Sequence, residues 1–213
     1  RVGILLLFFL SLLLFRTAWS AAPEDLKTVI PFSIDESDAA HRLAAALRFP
    51  TISPQDNEDF QPKPFEDFRD WLHGSYPLTY AQLEVEVIDQ SFFLHWKGKT
   101  EAKPVLLMSH LDVVPVEPGT ESEWTFPAFD GTVADGHVWG RGALDVKSGV
   151  TAWHEAIEHL LAGGFQPVQD LYFAFGQDEE VGGLRGNKIM ADFLQQRGVH
   201  FEMVVDEGGF ILQ

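Results

Sequence analysis

The chain has 213 residues, 46% of them hydrophobic, so it can bury a full core and has the length of one domain or somewhat more. Its 15 basic residues face 32 acidic ones, a net charge of −17, and a surface that acidic repels phosphate backbones and argues against nucleic acid as a partner. The chain has no cysteine, which excludes disulfides, thiolate catalysis and cysteine-type zinc sites, so any zinc must rest on His and carboxylate ligands.

The N-terminus, RVGILLLFFLSLLLFRTAWSAAPEDLK, sets one arginine before an apolar run from Val2 to Phe15, and small residues follow at Ser20 to Ala22. The run is short for a membrane span, and the pattern predicts a signal peptide, or alternatively a retained anchor, over residues 1–20. Residues 21–213 are then the folded part. Pro23 to Pro31 is polar and reads as extended. Ser37 to Phe49, rich in Ala and Leu, predicts a helix that stops before Pro50. A loop rich in Asp and Pro follows from Asp56 to Pro64. The stretch FEDFRDWLHG predicts a second helix with Phe65, Phe68 and Leu72 on one face. LEVEVI, Leu83 to Ile88, and SFFLHWKG after a short turn predict a hairpin with His95 exposed. Val105 to Ser109 predicts a buried strand. Ser148 to Leu161 predicts a helix whose apolar face is Val150, Trp153, Ile157, Leu160 and Leu161. Asp170 to Gly176 predicts a strand, Gly186 to Gln196 a helix, and FEMVVDEGG a strand ending at Asp206. Strand and helix alternate from residue 104 onward, which predicts an α/β fold with a largely parallel sheet flanked by helices.

Four chemistry-bearing clusters follow this framework: His110 with Asp112, then Asp145, then Glu179 with Glu180, then Asp206 with Glu207. Three of them lie just past the C-terminal end of a predicted strand, the edge where open α/β sheets bind ligands. Carboxylates gathered there repel one another unless cations neutralise them, and divalent metals on His and carboxylate ligands are the simplest answer. Side chains at i and i+2 of an extended chain point the same way, so Asp112 can orient the far nitrogen of His110. Each cluster taken alone has a plainer reading. The imidazole can be satisfied by its neighbouring carboxylate, Asp145 can cap the helix after a Gly-rich turn, and Asp178, Glu179 and Glu180 can form a solvated acidic turn. In WGRGALDVKSG, Gly140 and Gly142 allow a tight turn and a close approach, but Asp145 stands where a dinucleotide fingerprint needs Gly.

Two arrangements do not support other chemistries. HEAIEH, His154 to His159, lacks the His at position 158 that a zinc-protease helix requires. Ser109, His110 and Asp112 are too close in sequence to form a triad, and no G-x-S-x-G occurs. An acidic calcium protein is disfavoured because no D-x-D-x-D-G loop is present.

SHLDVVP, WGRGALDVKSG, FAFGQDEEVGG and VVDEGG occur in this order, and together they resemble the two-zinc aminoacylase and carboxypeptidase family. The likeness is greatest to its carboxypeptidase S and N-fatty-acyl-amino-acid synthase/hydrolase branch, and it runs from about Ala39 to the last residue. It implies a zinc-exopeptidase-like catalytic domain and two Zn2+ ions. It implies His110 and Asp206 as ligands of one zinc, with Glu207 adjacent to Asp206 as the alternative. It further implies Asp145 as the bridging carboxylate and Glu180 as a ligand of the other zinc. Glu179 resembles the general base, and Asp112 the catalytic Asp that orients His110. The implied substrate is an N-acyl amino acid or a short peptide with a free C-terminal carboxylate. The implied reaction is amide hydrolysis, with condensation of a fatty acid and an amino acid as its reverse. Relatives also carry a lid or dimerisation domain and a late His that complete the site. The expectation is therefore an N-terminal portion of the catalytic domain, incomplete and without the lid, and inactive by itself. The alternative is an inactive short form with a metal-binding or regulatory role. The expected location is secreted, or else membrane-anchored or in a vacuolar or lysosomal lumen.

Overall fold

The computed structural model describes residues 34–208, so the expected signal or anchor and the extended Pro23–Pro31 stretch lie outside the described residues. Among the described residues five strands form the main sheet in the order β1-β2-β6-β3-β7. They are β1 (Glu84–Ile88), β2 (Ser91–Trp96), β3 (Val105–His110), β6 (Leu171–Gly176) and β7 (Met203–Val205). β3 pairs parallel with β6 and with β7, while β2 is antiparallel to both β1 and β6. Only β2 runs against the rest, so the sheet is largely parallel, as the strand–helix alternation predicts. A small hairpin, β4 (Thr132–Ala134) with β5 (His137–Trp139), stands apart. The sequence reading leaves it as loop. Its signal is Asp135-Gly136, both at positive φ, the turn chemistry of a two-residue hairpin.

Helices cover both faces. On one side α1 (Glu36–Ala46), α2 (Lys63–Ser75), α3 (Pro77–Gln82) and α4 (Lys147–Ala162) enclose the larger core. That core takes Phe92, Leu94 and Trp96 from β2, Phe173 and Phe175 from β6, and Val150, Ile157 and Leu161 from α4. On the other side α5 (Asn187–Gln196) sets Met190 and Leu194 against Phe93, Leu106 and Ala174. The alternation of β2 is apolar on both faces because helices cover both, which makes SFFLHW a continuous run rather than an alternating one. His95 is not exposed as expected. Its ring stacks on Tyr172 and reaches Glu84 at 2.9 Å and Asp170 at 2.7 Å.

The residues of HEAIEH tie the helices together. The Glu158 carboxylate accepts the amides of Leu78 and Thr79, both at 2.9 Å, and so caps α3. Glu155 pairs with the Arg42 guanidinium and accepts the Tyr76 hydroxyl at 2.9 Å. His154 is fully buried; its Nδ1 donates to the Val150 carbonyl at 2.8 Å, which leaves Nε2 to accept from the Tyr80 hydroxyl at 3.1 Å. Burial pushes its pKa down to about 4, so this imidazole is neutral.

α1 ends at Ala46, three residues before the predicted Phe49. The chain then turns through Arg48 and Phe49, whose amides bond Ala45 and Ala46. The segment beyond it runs alongside the residues after β3. Thr51 donates its hydroxyl to the Leu111 carbonyl at 2.6 Å and accepts the Val113 amide at 2.9 Å. These two bonds fix the main chain on either side of Asp112. Among the described residues no helix is long and apolar enough to cross a membrane.

Candidate metal centre

The C-terminal edge of the parallel strands carries the site. His110 is the last residue of β3 and only 1% exposed. Its Nδ1 lies 2.9 Å from the Asp112 carbonyl oxygen. A carbonyl can only accept, so Nδ1 carries the proton and Nε2 is the atom offered to the cavity. Nε2 lies 3.0 Å from Asp145 Oδ1, 3.0 Å from Glu207 Oε1 and 3.7 Å from Glu179 Oε2. One donor atom from each of His110, Asp145 and Glu207 falls within 4.8 Å of the others, a spacing that a single divalent ion can bridge. One imidazole with carboxylate oxygens suits a borderline metal such as zinc.

A cavity of about 300 Å³ opens over these groups, with His110, Asp145, Glu179, Asp206 and Glu207 in its wall. Asp206 thus faces the same space as Glu207. The geometry puts the Glu207 oxygen in the cluster, whereas Asp206 accepts the Glu207 amide at 2.9 Å. Glu180 adjoins the group without lining the cavity. Its pKa is raised by burial and by the Asp145 charge, against the opposing pull of His110. Glu207 is raised likewise by burial and by the charge of Asp145. Burial works against protonating His110, but the Asp112 side chain and carbonyl and the Glu207 charge outweigh it and lift its pKa to about 9. Both effects express the same crowding of negative charge that a cation would relieve.

Asp112 does something the sequence reading does not anticipate. Its carboxylate is fully buried, and its Oδ1 stands 3.4 Å from His110 Nδ1. The two oxygens accept instead the main-chain amides of Glu179 and Glu180, each at 3.1 Å. Asp112 therefore orients the imidazole mainly through its carbonyl, and the Glu179–Glu180 loop through its side chain.

Other residues that hold this loop escape sequence reasoning. Gln177 is buried and accepts the amides of Gln90 at 2.6 Å and Ser91 at 2.8 Å, tying the loop to the β1–β2 turn. Asp178 accepts the Arg185 amide at 2.6 Å, and the Arg185 guanidinium reaches Asn57 and the Pro54 carbonyl. Only their burial marks them, and burial of a polar side chain is not visible in a pattern. The Gly-rich turn before Asp145 behaves as predicted. Gly142 has φ +82°, and a Cβ there would lie 2.7 Å from a Val113 methyl carbon. Asp145 follows on a side chain that is 67% exposed, and the Asp145–Val146 peptide is cis. Lys147, two residues on, is fully buried, and burial pushes its pKa down to about 7 against the pull of the Asp112 charge.

Residues 106–211 match the family described as peptidase family M20/M25/M40. A probable carboxypeptidase S-like protein of Dictyostelium discoideum is 36% identical over 97% of this chain and 41% of its own length. The N-fatty-acyl-amino acid synthase/hydrolase PM20D1 of Mus musculus is 34% identical over 80% of this chain and 34% of its own. An M20 family metallo-carboxypeptidase from Sulfolobus solfataricus shares the fold, with a TM-score of 0.63 at 23% identity over 83% of this chain and 38% of that one. The chain thus spans well under half the length of the relatives it matches. Its four motifs, its sheet and its His–carboxylate cluster agree with these likenesses, and the chain belongs to the M20/M25/M40 peptidase family, on the side of carboxypeptidase S and its kin.

Proposed function

We propose that this chain supplies the metal-binding edge of a dizinc amide hydrolase of carboxypeptidase type. The observation that carries the reading is the meeting of His110, Asp145 and Glu207 donor atoms within 4.8 Å, with a Glu179 oxygen 3.7 Å from the same imidazole nitrogen. His110, Asp145, Glu180 and Asp206 would hold the zinc. Asp206 is favoured over Glu207 by the likeness and lines the same cavity, while Glu207 is the one whose oxygen meets the His110 ring. When bound, the ions would supply Lewis acidity and make an attacking water acidic enough to lose its proton near neutral pH.

The chain's own groups do the rest. Glu179, half exposed and held through its amide by Asp112, takes a proton from the attacking water and returns it to the departing amine. Asp112 keeps the Glu179 loop and the His110 ring in fixed relation. The substrate class is an N-acyl amino acid or a short peptide with a free C-terminal carboxylate, and the same groups run in reverse would join a fatty acid to an amino acid. The Val2–Phe15 run supports delivery through the secretory route.

The test is metal content and turnover of the complete natural protein. Zinc at two ions per chain, with hydrolysis of N-acyl amino acids that stops on chelation and returns with zinc, is expected. A protein that stays metal-free in excess zinc, or hydrolyses equally well after chelation, would sink the proposal.

A further inference from the structure

We infer that Lys147 is a positioning residue for Asp145: a buried strut that locks the carboxylate-bearing loop to the C-terminal end of α1. The inference rests on the proposed metal centre, since it concerns the placing of one of its donors. Beyond its 3.0 Å approach to the His110 ring, Asp145 takes its placement from the loop that carries it. Its side chain is two-thirds exposed, and its loop, from Gly140 to Val146, belongs to no strand or helix.

The anchoring comes from Lys147. Its amide donates to the Gly142 carbonyl at 2.9 Å, closing the turn. Its aliphatic stem runs beside Gly142, with carbons 3.5 and 3.6 Å from where a Cβ would stand. Its Nζ donates to the carbonyls of Ala46, at 3.1 Å, and of Phe49, on either side of the turn by which the chain leaves α1. The Phe68 ring lies 4.6 Å from the same nitrogen. Two N–H donors meet two carbonyls, and both a neutral and a charged amine have at least two, so the strut does not depend on its protonation state. Nothing else with a side-chain hydrogen bond reaches from this loop to α1 among the described contacts. A methionine would fill the same volume, so packing alone does not call for a buried amine. What the amine adds is direction: it sets the distance between α1 and the turn that presents Asp145.

Two variants and two readouts in the full chain test this. Lys147→Met removes the donors, and Ile157→Val, on the same helix but in the core, serves as a control for general loosening. In chelated protein, hydrogen exchange at the Lys147 and Ala143 amides is expected to rise in K147M and stay at the parent level in I157V. With cobalt(II) as the probe, K147M is expected to bind about 10–100-fold more weakly than the parent, the range seen when a ligand's support is removed, and to show an altered visible spectrum. Should K147M fail to fold, Lys147→Arg, which keeps donors but lengthens the strut, is expected to change the same spectrum. A folded K147M with parental exchange at both amides, or with parental cobalt affinity and spectrum, overturns the inference. A parent chain that binds no cobalt overturns the metal centre and this inference with it, whereas parental binding with an unchanged K147M overturns the inference alone.

Discussion

Asp112 holds Glu179 by the main chain. Its carboxylate oxygens accept the amides of Glu179 and Glu180 at 3.1 Å each, while its carbonyl oxygen sits 2.9 Å from the His110 ring. One fully buried residue thus fixes both the imidazole proposed to ligate metal and the residue proposed to move protons. Asp112→Asn turns one acceptor into a donor that faces an amide N–H. We expect a loss of about 10–100-fold in metal affinity, as for other residues that orient ligands, with a larger fall in turnover because Glu179 is displaced too. Equal losses in affinity and turnover would show that Asp112 acts on the metal alone.

Glu179→Gln keeps the size of the side chain and removes its basicity. Turnover is expected to drop by about 10²–10⁴-fold with zinc content unchanged, the signature of a lost proton carrier. Zinc loss in this variant would instead make Glu179 a ligand, and full activity would remove it from the reaction.

Asp206 and Glu207 share one cavity wall, and single substitutions separate them. Asp206→Asn is expected to cost tenfold or more in zinc affinity, on the order of a lost carboxylate ligand's support. Glu207→Gln is expected to leave affinity within a few fold. The reverse result would assign the ligand to Glu207, the residue whose oxygen lies 3.0 Å from His110.

His154 makes the fold sensitive to acid. Its pKa falls from 6.5 to about 4 on burial, so the unfolded chain binds the proton more readily than the folded one. The stability it contributes is complete above pH 6.5, declines as the pH falls, and is gone below about 4, a change on the order of 3 kcal/mol. Denaturant titrations of the parent and of His154→Gln across this window should show a steeper loss in the parent. Parallel curves would mean that other groups set the acid response.

Much of the architecture is legible in the sequence because it depends on patterns. Val105 to His110 and Leu171 to Gly176 read as strands from their apolar runs, and the C-terminal ends of those strands point to His110 and Glu179 without any structure. What the pattern does not carry is the partner of a buried polar group. His95 looks like an outward strand residue until β6 brings Asp170 and Tyr172 beside it. HEAIEH fails as a zinc-protease helix, yet its Glu158 caps a helix that the sequence announces only by Pro77. Asp112 is expected to face His110 with its side chain, but the Glu179 loop arrives with two free amides and takes the carboxylate first. These outcomes depend on which segments meet across the sheet, and spacing along the chain does not specify that.

The order of the strands has a consequence for how the protein is made. β3, which bears His110, lies between β6 and β7, and β7 follows the other four strands in the chain among the described residues. A nascent chain can therefore pair its hairpin, bury its aromatic core and seat β6 while the metal edge is still missing one wall. A metal held at this edge is then expected to enter a scaffold already built rather than to seed it.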